Sequence, residues 1–181
     1  DGECLADIYS VLGKAGRPEN LEVSSLIIDW DKWSNPIFSI GFNPKTHDLE
    51  KKCTPIYYQY QQSTKSTMKV KGHDLKLDDI LPNDAAIVQK TFLKGTEIPV
   101  FILAGHGWMG TSSAGCFLRE NCVDIGKLYG NEPFCFLLYV NMQQGRNSVI
   151  AKAAYPKPSL LRIIQYPISY IRWKRKSIFP Q

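Results

Sequence analysis

The pattern of apolar and polar positions is strongest in two runs of the second half of the chain. Ile98–Ala104 and Phe134–Val140 are apolar on alternate residues and also on most residues between them. This pattern is typical of strands that are buried on both faces. A glycine-rich loop starts at Gly105, between the two runs. We therefore predict that Ile98–Tyr139 holds both the core and the candidate site.

Shorter alternating segments predict further strands, and turn-forming residues separate them. Lys94–Glu97, with its glycine, predicts a hairpin loop. Asn43–Thr54 is polar and predicts an exposed connection. The remaining predicted strands are Leu21–Trp30, Ile37–Phe42, Ile56–Gln62, Thr67–Lys71, Leu75–Leu77, Ala86–Leu93 and Ser148–Tyr155.

Helical spacing occurs near both ends of the chain. Leu5, Ile8 and Leu12 are spaced three and four residues apart and predict an N-terminal helix within residues 1–13. Residues 159–171 are ambiguous, because Ser159 suits a helix cap whereas Pro167 interrupts a helix. The alternation of residues 164, 166, 168 and 170 favours a strand there.

Together these elements predict one all-β domain over residues 1–181, mainly antiparallel. Eight to ten short strands and one helix are typical of a β-sandwich or a barrel-like fold. Strands and helices do not alternate in the predicted order, which argues against a doubly wound parallel sheet.

Composition and charge narrow the class of protein. Hydrophobic residues make up 44% of the chain and charged residues 22%, as in ordinary globular proteins. The longest apolar runs have about seven residues, too few for a transmembrane helix. The net charge of +5 is concentrated in a basic tail, residues 172–181, which carries Arg172, Lys174, Arg175 and Lys176. This tail suits contact with anionic lipid, polysaccharide or nucleic acid, or it guards an ordered edge strand.

Five cysteines bear on the compartment. They form no C-x-x-C pair, so a zinc site is not predicted. We predict disulfides between Cys116 and Cys122 and between Cys4 and either Cys53 or Cys135, with five buried thiols as the alternative. Disulfides favour a secreted protein over a cytosolic one. A chain that begins at Asp1 and not at Met suits a mature secreted chain and a trimmed chain equally well.

His106 is a candidate catalytic residue. The segment Phe101–Gly107 resembles the end of the strand that bears the histidine in caspase-like cysteine proteases. The resemblance implies that His106 takes a proton from a thiol, here that of Cys116 or Cys135. That family places its nucleophile at the end of a following strand, whereas Cys135 lies near the start of its strand. We therefore keep a thiol hydrolase as an alternative only.

The glycine-rich loop and one tyrosine-rich strand are better candidates for binding a partner. Trp108 and Met109 lie in the loop, and Tyr57 and Tyr60 lie in the strand. Aromatic residues and methionine are enriched in interface cores. The three histidines are far apart in the sequence, so no metal and no cofactor are predicted.

The sequence thus predicts a secreted, non-enzymatic binding protein, similar in role to an effector, a toxin or a surface ligand. It would contact a partner protein through its loops. Besides the thiol hydrolase, a structural or coat protein whose basic tail contacts nucleic acid is the other alternative.

Overall fold

The computed structural model describes residues 2–16, 34–61, 67–76 and 80–176, with side chains to Arg172. The predicted strand Leu21–Trp30 lies outside the described residues. The helices are α1 (Gly2–Lys14), α2 (Pro44–Lys51), α3 (Trp108–Tyr129), α4 (Leu160–Gln165) and α5 (Pro167–Lys176). The strands are β1 (Ile37–Ile40), β2 (Cys53–Thr54), β3 (Tyr58–Gln61), β4 (Thr67–Val70), β5 (His73–Lys76), β6 (Asp84–Leu93), β7 (Pro99–Gly105), β8 (Phe134–Val140) and β9 (Ile150–Tyr155).

The central sheet is mixed, which shows that the all-β prediction is wrong. Its strands run in the order β1-β7-β6-β8-β9, and β2 pairs with the end of β6. β1 is parallel to β7, whereas β6 is antiparallel to both of its neighbours β7 and β8. β7 and β8 are therefore parallel to each other, and α3 is the crossover helix that joins them.

Several local predictions are confirmed. β6 and β7 form a hairpin whose loop contains Gly95 at a φ of 75°. Pro99 is the first residue of β7, a position that requires no amide donor. β3 pairs with β4, β8 pairs with β9, and the N-terminal helix is present. Turn residues and alternation are local signals, so they locate hairpins well.

The core has two halves, one on each face of the central sheet. On one face, α1, α3 and Tyr170 of α5 pack against Val88, Leu103 and Phe136. On the other face, α2 and the small antiparallel sheet β3-β4-β5 pack against Ile87, Ile102 and Leu137. The prediction that β7 and β8 are buried on both faces is confirmed, although the layers that cover them differ from those of a sandwich.

The longest helix, α3, begins within the segment that we predicted to be a glycine-rich loop. It contains Gly110, Gly115 and Gly126, and glycine disfavours helix. Close packing explains Gly115, since a Cβ there would lie 2.9 Å from Cα of Cys4 on α1. The close packing of α1 therefore requires a small residue at Gly115. This contact outweighs the low helix propensity of glycine.

Two more segments are helical where we predicted otherwise. Asn43 caps α2, because its Oδ1 accepts the amides of Lys45 and Thr46, both at 3.0 Å. The C-terminal segment forms α4 and α5, so the strand prediction for residues 159–171 is wrong. Ser159 caps α4, and Pro167 is the first residue of α5, where its missing N–H costs nothing.

All five cysteines are free thiols, which corrects the disulfide prediction. Cys116 and Cys122 lie on one helix, where six residues separate Cα atoms by about 9 Å, too far for a disulfide. Cys4 lies in the core half on the α3 side of the sheet, whereas Cys53 and Cys135 lie in the other half. The central sheet therefore separates Cys4 from both of its predicted partners, Cys53 and Cys135.

Candidate functional site

The carboxyl ends of the neighbouring parallel strands β1 and β7 meet at one edge of the sheet. From there β1 leads into α2 and β7 leads into α3. Leu49 of α2 and Phe117 of α3 pack on opposite faces of the sheet, so the two connections diverge at this edge. In open α/β sheets, ligands bind outside the carboxyl ends of strands at such a divergence. We therefore take this edge as the candidate site.

His106 follows directly after β7 and is exposed. Its amide donates to the carbonyl oxygen of Ala85 at 2.9 Å, which holds the residue at the edge of the sheet. Its Nδ1 lies 3.1 Å from the hydroxyl of Tyr60 on β3. Partial burial, and then the negative charge of Asp84, raise the pKa of Tyr60, so its hydroxyl is protonated at neutral pH. When that hydroxyl donates to Nδ1, Nε2 carries the ring proton and is a donor for a ligand.

A row of aromatic rings supports His106. Phe42, just after β1, stacks on Tyr60 with ring centroids 4.4 Å apart and planes 2° apart. Phe42 also stacks on His47 of α2 at 6.4 Å and contacts Tyr58 at 5.8 Å. We call these five residues the aromatic row: Phe42, His47, Tyr58, Tyr60 and His106. The row joins the segments that follow β1 and β7 to helix α2 and strand β3.

Glu50 of α2 contacts two members of the aromatic row. It accepts the hydroxyl of Tyr58, and His47 Nδ1 lies 3.3 Å from its Oε2. Burial, followed by the charge of Glu50, raises the pKa of Tyr58 strongly, so this hydroxyl stays protonated. Glu50 thus holds Tyr58 and His47 in place, and His47 and His106 are the two exposed members of the row.

Asp84 lies beneath the glycine-rich loop and is 3% exposed. Its carboxylate accepts the amides of Gly107 at 3.1 Å and of Gly110 at 2.6 Å. The N-cap residue of α3, Gly107, supplies no side-chain cap, so Asp84 caps this helix from another strand. A phosphate cradled by this loop, an option that glycine-rich loops raise, would meet the carboxylate of Asp84 and is disfavoured.

The glycines of this loop permit the close approach. A Cβ on Gly110 would lie 2.6 Å from the carbonyl oxygen of Ala85, and one on Gly105 would lie 2.3 Å from the amide of Thr111. Neither position has room for a side chain. The loop between β7 and α3 is therefore closely packed at these two positions.

The structure separates the four residues that we predicted to bind a partner. Trp108, the first residue of α3, is 68% exposed and so does not fold back onto the sheet. Met109 beside it is half-buried, and Tyr60 belongs to the aromatic row. Tyr57 packs instead against Tyr155 of β9, with centroids 5.1 Å apart. Only Trp108, Met109 and Tyr60 therefore belong to this edge.

The predicted partners of His106 in catalysis lie elsewhere. Cys135 is fully buried, and the register places it level with Ile102, about 10 Å along the strands from Gly105. The Sγ of Cys116 lies 3.2 Å from Oδ1 of Asn147, and burial raises the pKa of the Cys116 thiol. Within the described part of the chain, no hydrogen bond joins His106 to a thiol. The structure thus places neither candidate thiol beside His106.

Sequence reasoning missed a second polar cluster, between α1, α3 and the β8–β9 connection. The Asp7 side chain is 3% exposed and is held by Arg119 and Arg146, each at 2.6 Å. Glu3 accepts the hydroxyl of Ser112 and lies 3.1 Å from Arg146. These residues are more than 100 positions apart in the sequence, so no local pattern reveals them. The cluster docks α1 onto α3.

The described residues hold neither a metal site nor a membrane-spanning helix. Among those residues, no group of three or more His, Cys, Asp or Glu side chains could hold a metal ion. No helix within the described ranges has the length and apolar character to cross a membrane. Comparison with protein-family models, curated proteins and solved structures finds no match for this chain.

Proposed function

We propose that the chain is a binding module which engages a partner protein at the edge formed by Tyr60, His106 and Trp108. The observation that carries this proposal is the 68% exposure of Trp108, two residues from an exposed histidine whose ring is held by Tyr60. Tryptophan and tyrosine are enriched among the residues that dominate the energy of binding.

The chemistry of the edge supports recognition of a neutral or cationic peptide segment. The Trp108 ring offers apolar area, and Nε2 of His106 offers one hydrogen bond. The buried carboxylate of Asp84 beneath the loop disfavours a phosphate ligand. Since the aromatic row is held in place by Glu50, little ordering of this surface is required on binding.

The alternatives have less support. A thiol hydrolase requires a thiolate within reach of His106, and the pKa of Cys116 and of Cys135 is raised by burial. Contact of the basic tail with nucleic acid stays a prediction. A secreted location also stays a prediction, and with five free thiols it loses the support of disulfides.

Selection of displayed random peptides on the full chain tests the proposal. Each selected peptide is titrated by fluorescence polarisation against the wild type and the variants Trp108→Ala, His106→Ala and Tyr60→Phe. We expect about a thirtyfold loss of affinity for Trp108→Ala, as for an interface hot spot. Tyr60→Phe keeps the stack on Phe42 and should cost less than His106→Ala.

Val123→Ala is the matched control, because Val123 is also on α3 and is 59% exposed. This variant should bind the peptides as the wild type does. The proposal is overturned if no peptide is selected, or if the selected peptides bind Trp108→Ala and His106→Ala as tightly as the wild type.

A further inference from the structure

The C-terminal helical pair exposes an unusual amount of aliphatic surface. Five leucine and isoleucine residues within twelve positions are between 49% and 75% exposed: Leu160, Leu161, Ile164, Ile168 and Ile171. Single exposed aliphatic residues are common, but a contiguous group marks an interaction surface. We call these five residues the aliphatic face.

The aliphatic face points away from the body of the protein. Ser169 is 5% exposed, and Tyr170 packs onto the core beside α3. Ile168 and Ile171 are three residues apart on the same helix, and both are exposed. In α4, Leu160, Leu161 and Ile164 follow the spacing of one helix face. Ser169 and Tyr170 of α5 are therefore docked, whereas the five aliphatic side chains are exposed.

The stretch of sequence that carries this face contains basic residues and no acidic ones. All 17 acidic residues of the chain lie at or before Glu132, so residues 133–181 contain none. That stretch contains eight basic residues: Arg146, Lys152, Lys157, Arg162, Arg172, Lys174, Arg175 and Lys176. The first 132 residues hold the other 14 basic residues of 22 and have a net charge of −3. The aliphatic face and the basic residues of the tail thus lie in one stretch of sequence without acidic residues.

We propose that α4 and α5 dock this protein on the surface of a membrane rich in anionic lipid. Aliphatic side chains beside a run of lysine and arginine are the signature of a helix that lies in the plane of the bilayer interface. The aliphatic residues would enter the boundary of the acyl chains, and Arg172 would contact the headgroups. Contact with nucleic acid would use the cations but would leave the five aliphatic residues in water.

Flotation of the full chain with lipid vesicles tests this proposal. The anionic vesicles contain phosphatidylcholine and phosphatidylserine, with about one lipid in three anionic. We expect the chain to bind these vesicles and to bind vesicles of phosphatidylcholine alone much more weakly. Raising the salt concentration should weaken the binding, because the attraction of exposed cations is screened. Trp108→Ala should not change it, since the proposed peptide site lies elsewhere.

Two pairs of variants separate the contributions. Ile168→Asp should abolish vesicle binding. Leu81→Asp is the matched control, because Leu81 is 67% exposed and Ile168 is 65% exposed, and it should leave the binding unchanged. Exchanging Arg172, Lys174, Arg175 and Lys176 for glutamine should weaken binding by about fivefold per cation. The same exchange at exposed Lys45, Lys51, Lys71 and Lys127 removes equal charge and should have a much smaller effect.

Three results would overturn the proposal. The first is an absence of binding to anionic vesicles. The second is binding that Ile168→Asp leaves unchanged, which would assign the interaction to the cations alone and favour a polyanion such as nucleic acid. The third is a dimer in light scattering that Ile168→Asp dissociates while vesicle binding is absent, which would assign the face to a second copy. Circular dichroism of each variant verifies that it is folded.

Discussion

Oδ2 of Asp84 accepts the amide of Gly110 at 2.6 Å, which joins the start of β6 to the first turn of α3. The same carboxylate accepts the amides of Gly107 and Ala85. One side chain thus supplies the cap that the sequence of α3 lacks, and it sets the position of His106 and Trp108.

Asp84→Asn should destabilise the protein by about 1–3 kcal/mol. The amide removes the negative charge at the positive end of α3, and its NH₂ group cannot accept a backbone N–H. Urea unfolding measures the change in the free energy of unfolding. Asp48→Asn is the control, because Asp48 is 67% exposed in its ion pair with Lys51 and should cost less than about 0.5 kcal/mol. Equal effects of the two substitutions would contradict the capping role of Asp84.

Two glycines of α3 should respond in opposite directions to alanine. Gly126 has no atom within 4 Å of an added Cβ, so Gly126→Ala should stabilise the protein by about 0.5–1 kcal/mol through helix propensity. At Gly115 the added Cβ would lie 2.9 Å from Cα of Cys4. Gly115→Ala should therefore destabilise by about 1–3 kcal/mol. Thermal unfolding monitored at 222 nm checks both signs, and a stabilising Gly115→Ala would rule out the close packing of α1 on α3.

Glu3 should make stability depend on acid pH. The hydroxyl of Ser112, and then Arg146, lower the pKa of Glu3 below its ordinary value of 4.5. The unfolded state therefore takes up this proton at a higher pH than the folded state. The stability that ionised Glu3 contributes is complete above pH 4.5 and is lost as the pH falls through the lowered pKa.

Urea midpoints at pH 7, 5, 4 and 3 for the wild type and Glu3→Gln test this linkage. Glu3→Gln should be less stable than the wild type at pH 7, and the two midpoints should converge as the pH falls. The interpretation fails if the difference between the two proteins is the same at every pH.

The thiols should be slow to alkylate in the native chain. Burial raises the pKa of Cys4 and of Cys53 to about 12, and it raises those of Cys116 and Cys135 as well. Iodoacetamide reacts with thiolates, so Cys122, the one partly exposed cysteine, should be labelled first. Intact mass after labelling at pH 6, 7 and 8 counts the modified thiols. Rapid labelling of Cys116 at pH 6 would restore the thiol hydrolase, and labelling in urea should modify all five.

Local patterns determined the parts of this fold that depend on neighbouring residues. Alternation and turn residues were enough to locate the β6–β7 hairpin with Gly95, and continuous apolar runs identified β7 and β8 as buried strands. These features follow from the backbone and the nearest side chains alone. The position of His106 just after a buried strand could be read from the sequence for the same reason.

Only the tertiary structure decided that α3 is a helix and which residues meet at the candidate site. Gly110 and Gly115 weaken the helix locally, but both permit contacts with Ala85 and Cys4 that become available only in the folded chain. Tyr60 reaches His106 because the β3-β4-β5 sheet covers one face of the central sheet, and Asp84 caps a helix that begins 24 residues later. Propensity is worth less than about 1 kcal/mol per residue, so burial and hydrogen bonding between distant segments outweigh it.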